Sequence, residues 1–192
     1  MGRIVLGIFF GIALVPLAVV AWLWFGSMPV AVADRPYPYE RLITSVPLNV
    51  RIDRELVNIP PVHADEDNLI AGAQVYHDQC AVCHGFRGKP SSIGPNMFPT
   101  APPLWELHHH GTEIMVGVSD DPPGETYWKV VNGIRLTGMP SYKRVLSDIQ
   151  IWQVSLLLAN ADKTLPPAAV EILLGHAPPA PAPVALSAPV KK

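Results

Sequence analysis

Cys80 and Cys83 stand three positions apart with His84 directly behind the second, in "QCAVCHG". They are the two cysteines of the chain. Two thiols beside an imidazole admit four chemistries: a disulfide, a zinc site, a redox dithiol, or the covalent attachment of a haem. A closed structural zinc site takes four ligands, so it would have to recruit His84 or a distant histidine. His84 also adjoins Cys83 too closely to chelate one small ion together with both thiolates. A thioredoxin-like dithiol follows a strand in a βαβ pattern, whereas residues 67–80, "DNLIAGAQVYHDQC", place Leu69, Ala73, Tyr76 and Cys80 at helical spacings of three and four. The pattern C-x-x-C-H is most specific for attachment of a c-type haem. The thiols then bond to the two vinyl groups along one porphyrin edge, and the histidine ligates iron.

Iron with one protein ligand binds small molecules, whereas iron with a second ligand on the other face carries electrons, and methionine in that place raises the potential. Met1 and Met28 belong to the N-terminal region, which leaves Met97, Met115 and Met139. Met139 sits in "NGIRLTGMPSY", where Gly133 and Gly138 permit tight turns and Pro140 stiffens the chain behind it. That segment reads as a loop presenting a side chain. Met97, in a proline-rich loop, and Met115, in "TEIMVGV", read as packing residues. His108, His109 and His110 read as solvated surface, with metal binding or replacement of Met139 as the other uses of such a run. His63, His77 and His176 have no supporting neighbours in sequence.

The elements that position these residues occupy the middle of the chain. Residues 65–166 read as the compact domain, with Asp65 or Asp67 as the N-cap of the helix before Cys80 and Ser147 as the N-cap of a later helix. Residues 1–27 read as an N-terminal transmembrane anchor or export signal. The run from Ile4 to Phe25 contains no charge and is long enough for the roughly 20 residues that cross a bilayer. "AVA" at 31–33 offers the rival reading of a cleavage site. Residues 28–64 carry Pro36, Pro38, Pro47, Pro60 and Pro61, which argues for an extended linker arm rather than long helices. Residues 167–192 read as an Ala/Pro-rich tail. Across 65–165, seven Lys/Arg stand against eleven Asp/Glu, which lacks the basic stripe of a nucleic-acid binder.

The order "GAQVYHDQCAVCHG", "NGIRLTGMP", "LSDIQIWQVSLLLAN" resembles a class I monohaem c-type cytochrome over roughly residues 66–163. The resemblance implies an all-α domain around one haem c, covalently held by Cys80 and Cys83, with His84 and Met139 as axial ligands. It implies an N-terminal helix crossing a C-terminal helix, with Gly72 and Tyr76 facing Trp152, Ser155 and Leu156. A middle helix from about Glu125 to Val131 precedes the methionine loop. It also implies a proline whose carbonyl orients the His84 ring. Pro95 and Pro102 are both available, and Pro102, ahead of Leu104, is preferred.

Arg135 is expected at the cofactor, either on a propionate or, with Lys143 and Arg144, in a positive patch that steers a redox partner. The function so implied is one-electron transfer on the exported, periplasmic side of a membrane. The partners would be a membrane dehydrogenase, an oxidase or another cytochrome, with the chain working as a free carrier or as a subunit of a larger respiratory enzyme. An open or displaceable sixth site would instead mean a gas sensor or a peroxidase.

Overall fold

The computed structural model describes residues 2–57 and 59–176, so the Ala/Pro tract from residue 177 on lies outside the described residues. The chain divides into two units, 1–44 and 45–192.

In the first unit, α1 runs from Gly2 to Phe25 with Pro16 inside it, and the Asp34 carboxylate accepts from the Val30 and Ala31 amides at 2.9 Å. Among the described residues no helix is long and apolar enough to cross a membrane. The transmembrane expectation for 1–27 is therefore not supported by the structure.

The arm expected over 28–64 is not extended throughout. α2 runs from Glu40 to Glu55 straight through Pro47. A proline there removes one backbone hydrogen bond. Tertiary contacts outweigh that loss: within the second unit Ile52 is buried, and Trp128 Nε1 donates to Glu55 Oε2 at 2.8 Å. The backbone just beyond α2 is also packed, since a Cβ on Gly124 would collide with the Val57 carbonyl.

The second unit is built on α3 (Glu66–Val75), whose N-cap is Asp65, its carboxylate accepting from the Asn68 amide at 2.9 Å. A short helix, α4 (Ala81–His84), carries the end of the cysteine motif. α5 spans Pro123–Asn132, and α6 spans Asp148–Leu158, started by a capping box between Ser147 and Gln150. α3 crosses α6 where Gly72 lets the backbones touch: an added Cβ would stand 2.7 Å from the Gln153 carbonyl carbon and 3.2 Å from Leu157 Cβ. The face of α6 that meets Gly72 is therefore 153/157, not 152/155/156. Trp152 turns away to stack on Tyr127 of α5, with ring centroids 4.1 Å apart and planes 14° apart.

Two further differences extend the domain. α7 (Pro167–Leu173) buries Ala169, Ile172 and Leu173 in the main core, so the segment from 167 belongs to the domain rather than to a tail. The all-α expectation also gives way at an antiparallel hairpin, β1 (Leu107–His110) and β2 (Glu113–Val116), turned at Gly111 with φ +65°. His108 pairs with Met115 there, and Met115 is half-buried rather than in the core.

Candidate functional site

α3 does not stop cleanly at the cysteines. Over Tyr76–Cys80 it widens into a π-type turn, closed by the Ala81 amide donating to the Tyr76 carbonyl, and then continues into α4. Such turns cluster at functional sites. Tyr76 is fully buried, with its hydroxyl donating to the Gly85 carbonyl at 2.6 Å and its ring meeting Trp105 edge-on at 5.5 Å. One end of the motif is thereby fixed in the core. Cys80 and Cys83 are partly buried and unpaired. Burial, with Cys83 nearby as the smaller cause, pushes the Cys80 thiol up to about 12. Among the described residues no three His, Cys, Asp or Glu side chains converge as a metal cluster would require.

His84 Nδ1 lies 2.8 Å from the Pro102 carbonyl oxygen. The carbonyl only accepts, so Nδ1 carries the proton and donates, and Nε2 keeps its lone pair. Burial holds the imidazole below its ordinary pKa, with the Pro102 carbonyl pulling the other way. The ring is thus an oriented imidazole with one nitrogen available to ligate a metal. Pro95 lies instead in the short turn Gly94–Asn96 and is exposed. That turn is fastened to the motif. Ser91 Oγ donates to the Val82 carbonyl at 2.6 Å and accepts from the Ile93 and Gly94 amides at 3.0 Å. Gly94 packs so close to the Cys83 carbonyl that a Cβ would collide with it.

Met139 is presented by a loop held by its own hydrogen bonds. Gly133, at φ +67°, lies against the returning strand of the loop, where a Cβ would stand 2.7 Å from Pro140 C and 2.9 Å from Met139 O. The Met139 amide donates to Thr137 Oγ1 at 3.0 Å, and that hydroxyl donates to Ile134 O at 2.7 Å. Past the loop, Ser141 Oγ donates to Val131 O at 2.6 Å, and Tyr142 OH donates to Gln79 O at 2.8 Å. The latter bond ties the methionine loop to the residue before Cys80. The Tyr142 phenol is accordingly raised in pKa by burial first and by the two cysteines second. Met139 itself is partly buried.

Arg135, Lys143 and Arg144 are exposed. His108 and His109 are exposed on β1, and His63 is exposed. His77 and His176 do have partners, at Asp78 (2.8 Å) and Glu171 (2.6 Å). Sequence reasoning missed Tyr76, Ser91, Thr137 and Tyr142 as site-shaping hydroxyls. Their hydrogen bonds reach backbone carbonyls and amides across loops, which no local spacing encodes.

The residues present fit a haem c: two unpaired thiols, an imidazole with Nε2 free, and a thioether on a braced loop. Trp105 Nε1 is buried and makes no hydrogen bond of good geometry among the described residues; it faces the Tyr76 hydroxyl, whose pKa it lowers against the larger, opposite effect of burial.

Residues 67–156 match the family model described as "Cytochrome C oxidase, cbb3-type, subunit III". No match is found among curated proteins. Among solved structures, a chain of the reducing HAO-like protein complex of Kuenenia stuttgartiensis is similar at 21% identity and TM-score 0.38, over 53% of this chain and 46% of that one. The match spans less than half of that chain, and the likeness carries no argument.

Proposed function

We propose that residues 67–156, which match a cytochrome c family model, form a class I c-type cytochrome domain, and that this chain is a one-electron carrier with a single haem c rather than an enzyme. Cys80 and Cys83 would hold the haem through thioethers, and His84 and Met139 would ligate its iron. The observation that carries the reading is the 2.8 Å contact from His84 Nδ1 to Pro102 O beside two unpaired thiols, because it leaves one ring nitrogen free for iron and fixes its tautomer.

The haem supplies the reversible one-electron chemistry. The chain's own residues supply rigidity: Pro102 orients His84, Tyr76 pins Gly85 behind it, and Thr137 holds the backbone of Met139. Two protein ligands on braced segments mean that little has to move when the charge on iron changes. Arg135, Lys143 and Arg144, exposed beside the methionine loop, steer an acidic redox partner.

The membrane placement belongs to the same proposal. Described side chains all along α1, among them Phe10, Leu14, Leu17, Val20, Leu23 and Phe25, are exposed and apolar, and a helix apolar all round suits lipid. α1 then anchors the chain, with the haem domain on the periplasmic side. The matched family model is named for an oxidase subunit, which favours, as a second reading, a haem subunit of a membrane respiratory complex.

The test is the optical spectrum of the haem-loaded protein, oxidised and reduced, before and after carbon monoxide. A low-spin spectrum that carbon monoxide leaves unchanged supports an occupied sixth position. Rapid adduct formation overturns it in favour of ligand sensing or peroxide chemistry.

A further inference from the structure

Met97 reads from sequence as a packing residue of a proline-rich loop, and the function proposed above does not use it. Its surroundings give it a more specific place. The loop from Ser91 to Pro102 is fastened to the His84 side of the site by Ser91 on Val82 O, by Gly94 against Cys83 O, and by Pro102 on His84. Met97 closes the short turn in the middle of that loop, its amide donating to Gly94 O at 3.2 Å. From there the side chain reaches the other segment of the site. Its sulfur lies 3.6 Å from where a Cβ on Gly138 would stand, and its methyl fills that space. Gly138 immediately precedes Met139, whose amide is held by Thr137.

We propose that Met97 is a positioning residue for Met139: seated on Gly138, its thioether braces the methionine loop from the His84 side of the site. This inference rests on Met139 being the sixth ligand. The absence of a side chain at Gly138 makes the seat, and the flexible thioether of Met97 can fill it without strain. Opening of the methionine loop must unseat Met97, so the contact lowers the fraction of time in which the sixth position is uncovered. The 134–140 hydrogen bonds alone would leave the outer face of the loop, where Leu136 and Gly138 are exposed, free to fray.

The experiment uses the full-length, haem-loaded protein as wild type, Met97→Ala, Met97→Leu and Met139→Ala. Three quantities are read: the rate of carbon monoxide binding to the reduced form, the sulfur-to-iron absorption of the oxidised form, and the global unfolding midpoint. Met97→Ala is expected to bind carbon monoxide about tenfold faster than wild type, the size expected from losing the burial of one or two methylene-sized groups. The sulfur-to-iron band should weaken with it. Met97→Leu, which refills the seat but cannot ligate iron, should return most of the way to wild type.

If Met97→Ala matches wild type while Met139→Ala is open, the brace is overturned and the ligand reading stands. If wild type binds carbon monoxide as fast as Met139→Ala, the ligand reading itself fails and takes the brace with it. A Met97→Ala protein that loses only global stability, with unchanged carbon monoxide rate and band, also overturns the proposal. Should that variant not accumulate, Gly138→Ala displaces Met97 from the other side. The same acceleration is then expected, and an unchanged rate overturns the brace.

Discussion

The two sides of the site are held by different means. On the His84 side, Tyr76 is fully buried, Ala81 is 2% exposed, and the motif is part of the helix that crosses α6. On the Met139 side, Arg135, Leu136, Gly138 and Pro140 are exposed, and the loop is shaped by Gly133 and the Thr137 hydroxyl. Disturbing the first therefore disturbs the whole domain, whereas the second can open locally at a fraction of the global cost. Under the proposed ligation, an electron carrier built this way would keep His84 permanently and Met139 conditionally.

The contrast is broken most completely at the thiols. Replacing both Cys80 and Cys83 by alanine is expected to abolish covalent retention, so that haem is extracted by acidified organic solvent from the variant and not from the wild type. Next in size, Tyr76→Ala removes a buried ring and its hydroxyl bond to Gly85, for a loss of about 3–5 kcal/mol in denaturant unfolding. Thr137→Ala sharpens the other half of the comparison. Losing its bonds to Met139 N and Ile134 O removes about 1 kcal/mol, confined to the loop. Amide exchange at Met139 should accelerate while the global midpoint barely moves, and a fall of the midpoint as large as that of Tyr76→Ala would erase the distinction.

The smallest effect lies away from both sides of the site. Glu55 is held below its ordinary 4.5 first by the hydrogen bond from Trp128 and then by Arg51. A depressed carboxylate stabilises the fold fully above its unfolded pKa, and that stabilisation fades as pH falls through the folded value. The gap between the unfolding midpoints of wild type and Trp128→Phe should be widest near neutrality and narrow, to the pH-independent packing loss of the smaller ring, as pH drops below 4.5. A constant gap would mean that Glu55 plays no part.

What could be read from the chain was what local spacing encodes. Cys80, Cys83 and His84 are contiguous, and Asp65 and Ser147 sit where their helices begin. Pro102 was distinguishable from Pro95 only through resemblance, and the geometry separates them by putting one carbonyl beside His84. The misreadings share a cause. Pro47 inside α2, and α7 beginning at Pro167 in an ordinary first helical position, are both settled by burial that local pattern does not encode, as Ile52 on one and Ala169, Ile172 and Leu173 on the other gain a core. The α6 face was misplaced by about one residue, since Trp152 is claimed by Tyr127 on another helix. Met97 was invisible because its partner is a glycine 41 positions away, which carries no pattern of its own.

The fastening of Glu55 to Trp128, with Val57 against Gly124, takes up the free chain ahead of the cysteine motif. Wholly extended, residues 45–64 would span about 70 Å at roughly 3.3–3.6 Å per residue. With 45–55 wound into α2 and Glu55 held on α5, that stretch is a strut of the domain and leaves it little slack.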